Sequence, residues 1–204
     1  DYDVIVAGGG PVGATLAALL LECGGLAAGR VALLEPTLPS AASPGAEPQL
    51  RVSAISRASE CVLRAAGAWQ RLDATRLCAY ERMRIWHEST APWGEGVLEF
   101  RAAELGEPDL GHVIENGPLQ AAAVAAFLER GGVHRPAGLE RFEVQSEGVD
   151  VYAGGECLRA RLLVGADGAR SGVRAGLGLE PRVRPYGQRA IVAAGRGEAV
   201  LRRS

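Results

Sequence analysis

The sequence predicts an α/β fold in which a Rossmann-like domain carries parts of an inserted antiparallel β-sheet. Three observations lead there. A short apolar run, Val4–Ala7, passes through Gly8-x-Gly10-x-x-Gly13 straight into an apolar helix, Pro11–Cys23. A second apolar run, Val31–Leu34, ends at the acidic Glu35, 22 positions after Gly13. Much later, stretches of period two give way to Leu162-Leu163-Val164, apolar on both faces, and a second strand-to-loop-to-helix junction follows at Gly165–Arg174. A strand that enters a glycine turn and leaves as a helix opens a dinucleotide-binding βαβ unit. A strand apolar on both faces belongs to a covered, parallel sheet.

Each glycine of the first turn has its own task. Gly8 permits the tight turn, Gly10 lets a pyrophosphate approach the backbone, and Gly13 lets the helix pack closely on the strand. The helix N-terminus offers free N–H groups and the positive end of its dipole to an anion. A carboxylate at Glu35 suits the ribose hydroxyls of an adenine dinucleotide. The same glycines without a ligand would make only a tight βα turn. The flanking strand, the helix and the distant acid favour the dinucleotide.

The remaining elements follow in order. Gly24–Arg30 joins the first helix to the second strand, and Pro36–Pro48, rich in Pro, Ser, Ala and Gly, reads as an exposed loop. Ser56 is the N-cap of a helix with Ala58, Cys61, Val62, Ala65 and Ala66 on its apolar face, and Gly67 stops it. From Arg82 the period becomes two: Met83 and Ile85 alternate with Arg82, Arg84 and Trp86, and Val97–Phe100 completes a hairpin-like pair outside the dinucleotide fold. Glu107–Gly111 is a loop and His112–Glu115 a short strand. Gly117–Arg130 is an amphipathic helix with Leu119, Ala122, Ala123, Ala126 and Phe127 on one face, ended by Gly131-Gly132. Phe142–Gln145, Val149–Ala153 and Leu158–Val164 read as antiparallel strands, with Gly154-Gly155 turning the last pair. Tyr186–Val192 is one more strand, and the tail Gly195–Ser204 has no readable pattern.

Composition narrows the function. Over 204 residues the formal net charge is −2, which argues against nucleic acid as a partner. All 22 basic residues are arginine, which beside so much Ala and Gly reads as coding bias. Cys23, Cys61, Cys78 and Cys157 show no CxxC spacing and form no ligand pattern with His87, His112 or His134, so metal and disulfide readings are poor and a reducing compartment fits. Asp1-Tyr2-Asp3 puts no basic segment before the apolar run, which is unlike a signal peptide, and the first helix is too short to span a bilayer. No Ser/His/Asp triad or carboxylate pair suggests hydrolysis, and no catalytic side chain stands out.

Taken in order, several stretches resemble a known family, the flavin-dependent aromatic hydroxylases of ubiquinone biosynthesis, within the p-hydroxybenzoate hydroxylase-like FAD monooxygenases. They are Asp3–Ala14, Leu50–Ser56, Met83–Trp86, Leu105–Asn116, Val164–Arg174 and Tyr186–Val192, so the likeness covers nearly all of residues 1 to 192. The resemblance implies an FAD-binding domain whose first part is 1–80 and second part 112–180, with the start of a substrate-side β-sheet at 81–111 and the start of a substrate domain at 181–204.

It also implies roles. Gly8, Gly10 and Gly13 hold the FAD pyrophosphate, and Glu35 the adenosine ribose. Arg51 sets a positive charge beside the pyrophosphate or flavin, with a surface ion pair as the alternative. Gln120 hydrogen-bonds the cofactor from its helix, or merely sits on a solvated face. Asp167 with Gly168 anchors FAD in the loop over which NAD(P)H approaches; an Asx-turn without ligand is the alternative. Arg170 and Arg174 attract the anionic nicotinamide cofactor or are plain surface arginines. Trp86 and His87 face the substrate side, or are a partly buried aromatic and a solvated histidine.

The implied reaction uses NAD(P)H to reduce FAD, forms a C4a-hydroperoxide with O₂, and hydroxylates a phenol ring bearing a polyprenyl tail. The implied setting is the cytoplasm, or the periphery of the inner membrane (matrix side in a eukaryote), within a complex of ubiquinone-pathway proteins. Some features depart from the family. Its later Gly-Asp motif is not met before Ser204, which reads as an N-terminal portion or truncated variant with apolar surface left for another chain or a membrane. Gly117 stands where a larger residue is frequent, Gln49 where an acid is, and His87 where an aspartate is. Two other functions stay open. An NAD(P)-dependent dehydrogenase would use the same turn, but the antiparallel strands before Asp167 oppose it. A non-catalytic subunit would keep the fold and only dock to partners.

Overall fold

The computed structural model describes residues 1–39, 47–91 and 93–187. Strand β1 (Tyr2–Ala7) is flanked in a six-stranded sheet by β2 (Val31–Leu34), and helix α1 (Pro11–Glu22) links the two. Next along the chain come β3 (Val52–Ser56), α2 (Arg57–Ala65), β4 (Cys78–Tyr80), β5 (Arg82–Ile85), β6 (Leu98–Arg101), β7 (Gly111–Glu115) and α3 (Asn116–Glu129). The chain then returns to the main sheet through β8 (Val133–Arg135), β9 (Leu139–Gln145), β10 (Gly148–Ala153) and β11 (Glu156–Gly165), and α4 (Gly172–Gly176) follows.

The main sheet has the order β8-β2-β1-β11-β10-β9. Its first four strands are parallel, and β9, β10 and β11 form an antiparallel meander on the other side. The alternation of β1 explains its central place. Val4 and Val6 face α1 and α3, in a core with Ala14, Ala17, Ala18, Ala123 and Phe127. Ile5 and Ala7 face the opposite side, with Val149, Val151 and Val173. A strand with both faces covered needs the unbroken apolar run seen in the sequence. The alanines let α1 and α3 lie close together, and Phe127 is fully buried between them and the sheet.

Two smaller sheets stand apart. One has the order β3-β7-β4, all antiparallel neighbours, and the other pairs β5 with β6. The Met83/Ile85 alternation thus does form a two-stranded pair, with Met83 opposite Phe100 and Ile85 opposite Leu98. Its apolar face is open: Met83, Ile85, Leu98 and Phe100 are all exposed.

The structure differs from the sequence expectation at several elements. Of the five residues expected on the apolar face of α2, four are turned outward and Ala66 is buried. Ala58, Cys61, Val62 and Ala65 are exposed, while Glu60, Leu63 and Ala66 are buried. The cause is electrostatic as much as apolar: Arg64 holds the Glu60 carboxylate at 2.7 Å, and Leu63 joins the core with Trp69. Strands β4 and β8 carry no apolar alternation and were not expected. β8 is an edge strand of three residues held by register against β2. Leu162, though it belongs to the sheet, is exposed rather than covered on both faces. Most of the expected strand Tyr186–Val192 lies outside the described residues, as do the tail Gly195–Ser204 and 40–46 of the expected loop.

Candidate dinucleotide site

The turn after β1 is built as its glycines require. Gly8 has φ of +103°, a conformation that only glycine adopts without strain. Its N–H donates to the Leu34 carbonyl at 2.9 Å, which fixes the turn to the end of β2. A Cβ on Gly8 would stand 2.4 Å from the Ala166 carbonyl oxygen, so the loop after β11 packs directly on this turn. The Ala166 N–H in turn donates to the Ala7 carbonyl at 2.8 Å. A Cβ on Gly13 would stand 2.0 Å from the Gly8 carbonyl oxygen. Gly10 is different: a Cβ there meets nothing within 4 Å, and the residue borders an open cavity. Gly10 is the N-cap of α1, no side chain caps the helix, and Pro11 occupies its first turn. Backbone N–H groups of that turn are left for an outside acceptor.

The cavity has a volume of about 480 Å³. Gly8, Gly10, Glu35, Asp167, Gly168 and Arg170 line it, and Pro36, Gly138 and Leu139 supply an apolar wall. The Glu35 carboxylate accepts from the Gly9 N–H at 2.9 Å and from the Thr37 N–H at 3.3 Å. It is therefore fixed in position at the rim, braced against the turn itself. Gly168 has φ of +79°, which turns the chain back toward α4.

Asp167 has two unequal oxygens. Oδ2 accepts from the N–H groups of Gly172 at 2.6 Å and Val173 at 3.2 Å. Oδ1 is buried and has no hydrogen-bond partner. Burial pulls the pKa of this carboxyl upward, but hydrogen bonds from Ser171 and from the backbone N–H groups outweigh it, and the net shift is downward. The carboxylate is thus ionised at neutral pH with one acceptor unused. An orphaned acceptor beside a cavity is costly unless a donor arrives.

Not every predicted site residue lines the cavity. Gln120 lies behind the turn, where its Nε2 donates to the Gly9 carbonyl at 2.8 Å and holds the turn in shape. Gly13 is packed beneath it. Arg51 is exposed, outside the cavity, and its guanidinium forms no ion pair among the described residues. Its carbonyl accepts from the Asn116 N–H at 2.9 Å, which ties it to the front of α3. Arg174 is occupied by the Ala169 carbonyl at 2.5 Å, whereas Arg170 faces the cavity. Trp86 and His87 lie at the end of β5, away from this cavity, and His87 bonds Ser89 at 2.8 Å. The wall residues Gly138 and Leu139 were missed, because they stand where the chain passes from β8, itself invisible to periodicity, into β9.

The donor set fits an anionic nucleotide: free backbone N–H groups for phosphate, carboxylates at Glu35 and Asp167 for hydroxyls, and an apolar wall for a base. All four cysteines are free, and the described residues contain no group of three His, Cys, Asp or Glu able to hold a metal ion. Among them no helix is long and apolar enough to cross a membrane.

No family model matches the chain. It is 32% identical to the 3-demethoxyubiquinol 3-hydroxylase of Escherichia coli, over 93% of this chain and 47% of that protein. It is 32% identical to the mitochondrial ubiquinone biosynthesis monooxygenase COQ6 of Mus musculus, over 94% of this chain and 42% of that one. It is 34% identical to the ubiquinone hydroxylase UbiL of Rhodospirillum rubrum, over 93% of this chain and 42% of that one. The chain therefore spans a little under half the length of these relatives. Among solved structures, p-nitrophenol 4-monooxygenase of Pseudomonas putida superposes with a TM-score of 0.64 at 24% identity, over 87% of this chain and 43% of that one. The ternary complex of aklavinone-11 hydroxylase with FAD and aklavinone superposes with a TM-score of 0.63 at 25% identity, over 87% of this chain and 35% of that one.

Proposed function

We propose that this chain, a homologue of the ubiquinone hydroxylases over nearly all of its residues, binds FAD and serves the hydroxylation of a polyprenylated phenol ring in ubiquinone biosynthesis. NAD(P)H is the reductant and O₂ the oxidant. The observation that carries the reading is the single cavity shared by the glycine turn, Glu35 and the Asp167 loop.

Bound FAD would supply the activation of O₂ and the transfer of one oxygen atom to an electron-rich ring. The protein's residues do the rest. Gly8, Gly10 and the first turn of α1 take the pyrophosphate, and Gly13 lets that helix sit close enough to do so. Glu35 orients the adenosine ribose. Asp167 offers its unused Oδ1 to a cofactor hydroxyl, with Gly168 turning the loop out of the way. Gln120 keeps the Gly9 carbonyl turned away from the phosphates, and Arg51 adds positive charge on the flavin side.

Residues 81–111 begin the substrate-side sheet in this reading. The open face of Met83, Ile85, Leu98 and Phe100 supports it, since a prenylated phenol needs apolar surface near the ring. Work at the inner-membrane periphery, alongside other enzymes of the pathway, suits so apolar a substrate.

The test is turnover with isotope. Purified protein is supplied with FAD, NAD(P)H, a polyprenylated phenol and ¹⁸O₂. The expected product carries one ¹⁸O on the ring. NAD bound in preference to FAD points to a dehydrogenase instead. FAD bound without any hydroxylated product points to a non-catalytic flavoprotein subunit.

A further inference from the structure

We infer that Glu115 is a positioning residue for the cofactor: clamped by Arg76, it locks the Arg51 stretch onto the front of α3. The inference rests on the FAD reading above and goes beyond it, because neither residue touches the cavity.

The geometry is a chain of short contacts. Arg76 grips the Glu115 carboxylate with two prongs, Nε to Oε1 at 2.8 Å and an amino nitrogen to Oε2 at 2.9 Å. Such a fork fixes direction as well as distance. Oε2 also accepts from the Gln49 N–H at 2.7 Å. Gln49 then returns across the gap, its Oε1 accepting from the Gly117 N–H at 3.2 Å. The Asn116 N–H donates to the Arg51 carbonyl at 2.9 Å, and Ser53 Oγ donates to Asn116 Oδ1 at 2.7 Å. Residues 49 to 53 are thereby stitched to 115 to 117. One turn further along α3, Gln120 holds the Gly9 carbonyl.

The Arg76 side chain is 19% exposed and that of Glu115 8%, so the pair is only partly withdrawn from water, and apolar residues of similar volume could often serve stability as well. Glu115 is 7% exposed, and an apolar replacement could not take the Gln49 N–H. Glu115 is the N-cap residue of α3 by its backbone, while its carboxylate is taken up by Arg76 and the Gln49 N–H rather than by the helix. The hydrogen bond from Arg76 holds its pKa below the usual carboxylate range, so the clamp is charged at neutral pH.

A Cβ on Gly117 would stand 2.5 Å from Gln49 Oε1. The glycine makes room for the glutamine, and the glutamine bonds the glycine's N–H.

The experiment compares two ligands on the intact chain. FAD and ADP affinities are measured by calorimetry for wild type, Glu115→Gln, Arg76→Lys and the double variant, with melting temperatures alongside. In the functional reading above, ADP takes the glycine turn, Glu35 and Asp167 but leaves empty the flavin side assigned there to Arg51. The expected result is FAD binding weakened about tenfold or more in each single variant, with ADP binding unchanged. The double variant should be no worse than the weaker single, as for residues acting through one contact. A general loss of structure would weaken both ligands together, and that result overturns the inference. So does unchanged FAD affinity in a folded variant. If Glu115→Gln fails to fold, Arg76→Lys, which keeps the charge and loses the fork, decides. A wild-type chain that binds no FAD overturns the functional reading itself, and this inference with it.

Discussion

Gly10 and Gly13 sit three residues apart in one turn, yet their replacement by alanine should have opposite consequences. At Gly13 the new methyl would press on the Gly8 carbonyl oxygen, 2.0 Å away, and backbone cannot yield as a flexible side chain can. Alanine gains about 1 kcal/mol of helix propensity over glycine, but overpacking against fixed atoms costs about 1–3 kcal/mol, so Gly13→Ala should lower the melting temperature. At Gly10 the methyl meets only the cavity. Gly10→Ala should fold as well as wild type and lose FAD, as read by paired thermal melts and flavin fluorescence titration. Asp167 and Glu115 contribute to the pH response, as do Asp3, Asp73, Glu99 and Glu129, whose carboxyls are also held low by their partners. These carboxyls have folded pKa values below their unfolded ones, near 4. Their contribution to stability is therefore complete above about pH 4 and fades as pH falls through the depressed values. Denaturant melts should show no dependence on these groups from pH 5 to 8, and Asp167→Asn should flatten the acid limb. At this scale the glycines were legible in the sequence because each encodes a backbone need. Gln120 and Arg51 were not fixed by local pattern; a polar residue on a helix and an arginine in a loop have many uses. Glu115 and Arg76 gave no signal, and Gln49 stood out only as a departure from the family pattern, since their meaning depends on segments up to 66 residues apart in the chain meeting in space.

Among the elements, α2 shows what periodicity can and cannot tell. Ser56 does cap it, accepting from the Ser59 N–H at 3.3 Å. The apolar residues at Ala58, Cys61, Val62 and Ala65 nevertheless point outward, and Glu60 and Leu63 point in. A glutamate with Arg57, Arg64 and His112 around it can be buried, and that possibility is invisible to a hydrophobic count. Leu63→Ala should therefore cost about 2–4 kcal/mol by denaturant melt, while Val62→Ser should stay within about 0.5 kcal/mol of wild type. The reverse ranking would restore the face that periodicity suggests. Helix α3 behaved differently: Leu119, Ala122, Ala123, Ala126 and Phe127 are all buried, because no charged residue interrupts that stripe. Strand β8 lacked any pattern, being three residues long and half-exposed.

Across the whole molecule, the parallel core was readable because β1, β2 and the end of β11 carry apolar residues on adjacent positions. The return of β11 beside β1 brings the Asp167 loop onto the Gly8 turn, and the cavity follows from that one pairing. A ligand bound there bridges two segments over 150 residues apart in sequence, so it should stabilise the fold as a whole. At a free FAD concentration of a hundred times Kd the gain should be about 2.7 kcal/mol, read as a rise in melting temperature that Gly10→Ala abolishes. The most direct measurement is a calorimetric titration of the chain with FAD, run beside Gly10→Ala at matched melting temperature. The expected result is saturable one-to-one binding by wild type and none by the variant. Equal affinity in the two proteins, or no binding by either, would contradict a cofactor seated on the glycine turn.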